Sequence, residues 1–123
     1  IDGAIIGANS AAAGTFSTVA DASGAIRAIP LNDQNSTYSL ATSDVGKVID
    51  AAGTVTIPNS TFSAGDAVSI FNNTASDLTI TCTIATTYKA GTDADIATAT
   101  LATRGVATIL FISATVCVIS GNI

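Results

Sequence analysis

The chain has 123 residues, enough for one ordinary domain with an attached arm and too few for a large two-domain enzyme. Hydrophobic residues make up 48%, charged ones 11% and aromatic ones 5%, a composition rich in Ala, Val, Ile, Ser and Thr that excludes intrinsic disorder. Nine acidic residues, all Asp, oppose Arg27, Lys47, Lys89 and Arg104 for a net charge of -5, so nucleic acid, which needs clustered cations, is not an expected partner.

Residues 1–36 are punctuated by Gly and hold only short apolar pairs, which reads as an extended arm or stalk-like attachment segment. The chain opens on Ile1 and contains no Met, so it is expected to be a processed product or part of a longer polypeptide; no basic stretch followed by an apolar one gives an export signal. Asn9 or Ser10 can cap one helical turn over Ala11 to Ala13, closed by Gly14. The run from Asp21 to Gly24 supplies a turn, and Ile26, Ile29 and Leu31 then continue in extended form through Pro30.

From residue 37 to 123 the apolar pattern takes a period of two, the mark of half-buried strands. Expected strands are Tyr38 to Ala41, Lys47 to Asp50, Thr54 to Ile57, Ala67 to Asn72, Leu78 to Thr83, Ala97 to Ala102, Gly105 to Ser113 and Thr115 to Ser120. Turn chemistry separates them, at Ala52-Gly53, Pro58-Asn59-Ser60, Ala64-Gly65-Asp66, Asn72-Asn73, Gly91-Thr92-Asp93 and Arg104-Gly105. The expected fold is all-β, an antiparallel β-sandwich or barrel preceded by the extended N-terminal arm.

The strand Gly105 to Ser113 is apolar on both faces, with Val106, Leu110 and Ile112 on one and Ala107, Ile109 and Phe111 on the other. Both need cover, either from a central position in the fold or from another subunit, and the scarcity of charge favours a homo-oligomer. No stretch approaches the ~20 apolar residues of a membrane-spanning helix. The longest apolar block, Val106 to Ile112, is interrupted by Thr108.

Chemistry-bearing groups are few. His and Glu are absent, which removes the usual general base, the commonest zinc ligand and the usual glycosidase carboxylates, so no catalytic, cofactor-binding or metal-ligating residue is expected. Asp93 and Asp95 are the one close acidic pair and read as a solvated turn rather than a calcium loop. Cys82 shares parity with Leu78, Ile80 and Ile84, and Cys117 lies between Val116 and Val118; both read as buried, reduced thiols, with a disulfide as the alternative.

Three stretches together resemble a module found at the ends of bacteriophage tail fibres and other virion appendages. The arm's Ile1-Asp-Gly-Ala-Ile-Ile-Gly followed by Ala12-Ala-Gly-Thr-Phe-Ser-Thr is similar to a recurrent pair of phage fibre segments. Arg27-Ala-Ile-Pro-Leu-Asn-Asp-Gln, followed by Tyr38-Ser-Leu-Ala-Thr-Ser-Asp-Val-Gly-Lys, resembles the opening of the fibre modules. Val55-Thr-Ile-Pro, the run from Phe62 to Asn73 and the ending from Thr100 to Asn122 complete a likeness that covers nearly the whole chain. The resemblance implies a β-structured virion protein, usually a homotrimer in contact with other virion proteins, with no catalytic residue to carry over.

Two roles follow as expectations. One is a structural phage component, a fibre, appendage or head-surface protein with a projecting β domain that contacts the host. The other is a carbohydrate-binding adhesin module for a host surface glycan, with Asn72, Asn73, Asp93 and Asp95 on turns hydrogen-bonding the sugar and Tyr88 stacking on it.

Overall fold

A computed structural model describes residues 16–22 and 24–123. The helical turn expected over Ala11 to Ala13 lies outside the described residues. Among those residues the chain is all-β, with a single 3-10 turn and no helix long and apolar enough to cross a membrane.

The arm's turn closes a small antiparallel hairpin, β1 (Ala20–Asp21) with β2 (Gly24–Ala25), in which Asp21 faces Gly24. The strands that follow are β3 (Leu31–Gln34), β4 (Tyr38–Ser39), β5 (Val48–Ala51), β6 (Val55–Ile57), β7 (Ala67–Asn72) and β8 (Leu78–Cys82). After them come β9 (Thr86–Lys89), β10 (Thr98–Leu101), β11 (Val106–Phe111) and β12 (Val116–Gly121), and the 3-10 turn Thr42–Asp44 joins β4 to β5. Two open sheets form, one in the order β3-β5-β7-β11-β12-β9 and the other β10-β8-β6-β4.

Inward residues follow the expected period of two. Leu78, Ile80 and Cys82 of β8 and Val55 and Ile57 of β6 meet Ile49, Ile70, Ile109 and Ile119 of the larger sheet in one core. Each such side chain contributes about 1.5–3 kcal/mol by leaving water. Phe62, from the loop before β7, stacks on Phe111 with ring centroids 4.1 Å apart and an interplanar angle of 19°, closing one end of that core.

The pairing differs from the antiparallel expectation. β3 with β5, β5 with β7, β4 with β6, β6 with β8 and β12 with β9 are parallel, while β7 with β11, β11 with β12 and β8 with β10 are antiparallel. From β3 to β11 each successive strand crosses to the other sheet, so consecutive strands there are not ladder partners. Strands two apart pair from β3 to β7 and from β4 to β10, whereas β7 takes β11 as its next neighbour and β9 lies at the edge beside β12. Alternation in a sequence shows which face of a strand is buried; it carries no information about which neighbour the strand takes.

Besides the short arm hairpin, two strands of the larger sheet escaped the periodicity. β3 lies in the segment read as arm, with Asn32 and Gln34 pointing inward, and β9 reads Thr-Thr-Tyr-Lys, with Thr87 as its buried residue. Polar inward positions erase the apolar alternation that marks a strand.

Candidate functional site

Asn72 ends β7 with its side chain turned inward and no exposed surface. Its Nδ2 donates to the carbonyls of Ser76 at 2.8 Å, Leu101 at 3.1 Å and Ala102 at 3.0 Å, and its Oδ1 accepts from the Thr74 N–H at 3.0 Å and hydroxyl at 2.7 Å. The expectation of Asn72 as a surface-binding residue is therefore corrected: its amide is fully occupied in tying the β7–β8 loop to the end of β10. Asn73 is exposed; its backbone N–H donates to Ala51 O at 2.8 Å and its Oδ1 accepts from the Arg104 guanidinium.

The other three candidates lie on β9 and the loop that follows it, which brings Asp95 back beside Tyr88. Tyr88 stands on this edge strand, 36% exposed, and bridges to Asp95, while the Asp95 Oδ1 accepts the Thr87 N–H at 2.9 Å. Lys89 N–H donates to Ala94 O at 3.1 Å, and the Thr92 N–H and hydroxyl both donate to Lys89 O, at 3.0 and 2.9 Å. Gly91 turns the chain with φ +79°. The loop thus folds back on its own strand, leaving Asp93 exposed at its tip. An amphipathic ring with a carboxylate on the neighbouring strand position suits hydrogen bonding and stacking on a sugar. Among the described residues no three His, Cys, Asp or Glu side chains group as a metal site.

A second polar cluster has no counterpart among the sequence-based expectations. Asp44, in the 3-10 turn, is fully buried; its Oδ1 accepts from Asn32 Nδ2 at 2.8 Å, and its Oδ2 accepts from the Tyr38 hydroxyl and the Ala41 N–H, each at 2.8 Å. Gln34 Nε2 donates to Asn32 Oδ1 at 2.8 Å and extends the network along β3. Burial first, and the neighbouring Asp44 second, raise the Tyr38 pKa above its ordinary value. These groups are mutually satisfied, and the cluster acts as a clasp between the sheets at the β3 and β4 edges.

Cys82 and Cys117 come from opposite sheets, both buried and unbridged, and the Thr87 hydroxyl lies 3.4 Å from the Cys117 sulfur. Burial raises both thiol pKa values, and hydrogen bonding to Thr87 opposes the rise in each. Among the described residues an open groove of about 350 Å³ is lined by Gly53, Thr54, Thr74, Ser76, Asp77 and Thr79, chiefly hydroxyl-bearing side chains with no aromatic ring.

In comparison with known proteins, no family profile matches the chain, and neither a curated protein nor a solved structure shows significant similarity to it.

Proposed function

We propose that the chain is a structural subunit of a bacteriophage particle, a tail fibre, appendage or head-surface protein whose β domain projects from the virion and whose arm attaches it. The observation that carries this reading is the order of the fibre-like segments, from Ile1-Asp-Gly in the arm through Tyr38-Ser-Leu to the ending at Asn122. Two structural features agree with it. The polar side chains with the richest hydrogen bonding, Asn72 and Asp44, are committed to holding the fold. Arm residues Phe16, Val19, Ile26 and Ile29 are 44–70% exposed, as a segment meant to rest on neighbours would be.

In this reading the subunit is a homotrimer, its partners are other virion proteins, its place is the virion and it performs no reaction. Peptide mass spectrometry of density-banded particles, followed by antibody labelling in the electron microscope, tests the assignment. Absence of the chain from intact particles would overturn it.

A second reading, recognition of a host glycan, is favoured by the loop that brings Asp95 beside Tyr88, with Asp93 exposed at its tip. A glycan array probed with the chain and with Tyr88→Ala separates the two roles. Binding lost in the variant supports the adhesin, and an unlabelled array leaves the structural role alone.

A further inference from the structure

We propose that the outer face of the six-stranded sheet receives the arm hairpin of a second copy of this chain, with Arg27 of the partner subunit set against Asp33 and Asp50. The inference rests on the reading of the chain as a subunit of a homo-oligomer and names the surface that makes it one.

The sheet's outer face carries two apolar rows, at Leu110 and at Val106, on either side of a hydroxyl row formed by Ser69, Thr108 and Ser120. β11 is an inner strand with ladder partners on both sides, yet its Val106 and Leu110 are 45% and 44% exposed, and Ile112, just past its end, is 51% exposed. The register extends the patch: Leu110 stands opposite Ala67 on one side and Val118 on the other, and Val118 stands opposite Tyr88. Apolar side chains clustered over several strands mark a contact surface rather than the scattered exposure normal for a monomer.

At one corner of this face the chemistry changes. Val106 is opposite Phe71, Phe71 is opposite Asp50, and Asp50 is opposite Asp33 in the parallel β3–β5 pair. Like charges on facing strand positions destabilise a sheet unless a cation lies between them. The Asp50 Oδ1 is buried with no hydrogen-bond partner among the described residues. Rotation about the terminal bond of Asp exchanges its two oxygens at little cost, so a donor arriving from outside can satisfy that carboxylate.

The complementary surface is on the hairpin. Arg27 follows Ile26, which is 63% exposed, and Ile29, two positions on, is 70% exposed. Arg27 itself is exposed and forms no ion pair among the described residues, so it does not neutralise Asp33 or Asp50 of its own chain. One guanidinium between two isoleucines matches two carboxylates beside an apolar patch, in sign and in character. Because hairpin and sheet face are different surfaces, the contact is heterologous, and a ring of copies satisfies every hairpin and every face.

The test uses the full chain. Sedimentation equilibrium is measured for the wild type, Arg27→Asp, Leu110→Lys and the swap Arg27→Asp with Asp33→Arg, each first shown to keep the wild-type far-ultraviolet spectrum. Arg27→Asp and Leu110→Lys are expected to weaken association at least about tenfold, and the swap to recover most of the loss. Should Leu110→Lys not fold, Arg27→Asp and the swap decide alone. A wild type that associates while Arg27→Asp associates equally well overturns this surface and leaves the oligomer standing. A wild type that is monomeric at high micromolar concentration overturns both.

Discussion

The Tyr38 hydroxyl donates to the Oδ2 of Asp44 across 2.8 Å, and that single contact joins the edge strand of the smaller sheet to a carboxylate which Asn32 holds from the larger one. A hydrogen bond to a carboxylate is stronger than one between neutral groups, and here it favours the protonated phenol.

Stability is therefore expected to fall at alkaline pH. The native state holds the Tyr38 proton above the ordinary pKa of 10.0, so its contribution is complete below that pH and is lost as pH rises through the native value. Both thiols are likewise raised from 9.0 and begin the decline earlier. Urea midpoints measured across the alkaline range for the wild type and Tyr38→Phe isolate the tyrosine contribution. Identical slopes in the two proteins would show that the Asp44 contact does not set it.

Replacing Asn72 with Ala strips partners from three carbonyls and from Thr74. Buried polar groups left unpaired cost about 1–3 kcal/mol each, and with some access for water the expected loss is about 3 kcal/mol. Chemical denaturation reads this directly; a loss below about 0.5 kcal/mol, the usual level for surface substitutions, would mean that the amide is not the hub described.

For the thiols, a maleimide reagent is expected to modify native protein slowly and to modify both Cys82 and Cys117 after denaturation without reductant. Burial keeps each thiol protonated and out of reach. Mass spectrometry that finds the two joined would refute the unbridged pair.

Gly121 ends β12 with φ +128°, and an added Cβ would strike the Val106 carbonyl of the paired strand. Gly121→Ala is expected to cost about 2 kcal/mol or more, from strain at that φ together with displacement of β11. A thermal midpoint equal to that of the wild type would contradict it.

How far the chain could be read from its residues depended on polarity. Strands whose inward positions are apolar, such as β8 with Leu78, Ile80 and Cys82, were legible from alternation alone. β3 and β9 were hidden because Asn32, Gln34 and Thr87 occupy their inward positions, and those residues earn their place through partners distant in sequence. The same blindness affected the candidate site. Asn72-Asn73 looks like an exposed turn, yet one amide is sealed inside by Leu101 and Ala102, some 30 positions away, while its neighbour stays outside with Arg104. Only the Tyr88 loop, whose hydrogen bonds join residues close in sequence, was foreshadowed by its own residues.

The crossing of the chain between sheets at every strand from β3 to β11 governs how the molecule comes into being. Among the ladders of the sandwich only β11 with β12 joins consecutive strands, so it is the one that closes at small entropic cost. Every other pairing skips at least one intervening strand, and β7 gains its β11 neighbour only after the chain has passed through β8, β9 and β10. Such a chain folds late and slowly, on the millisecond-to-second scale of non-local β topologies. Until then its outer apolar rows and open edges are bare, which makes the order of synthesis, folding and subunit contact a matter of survival against aggregation.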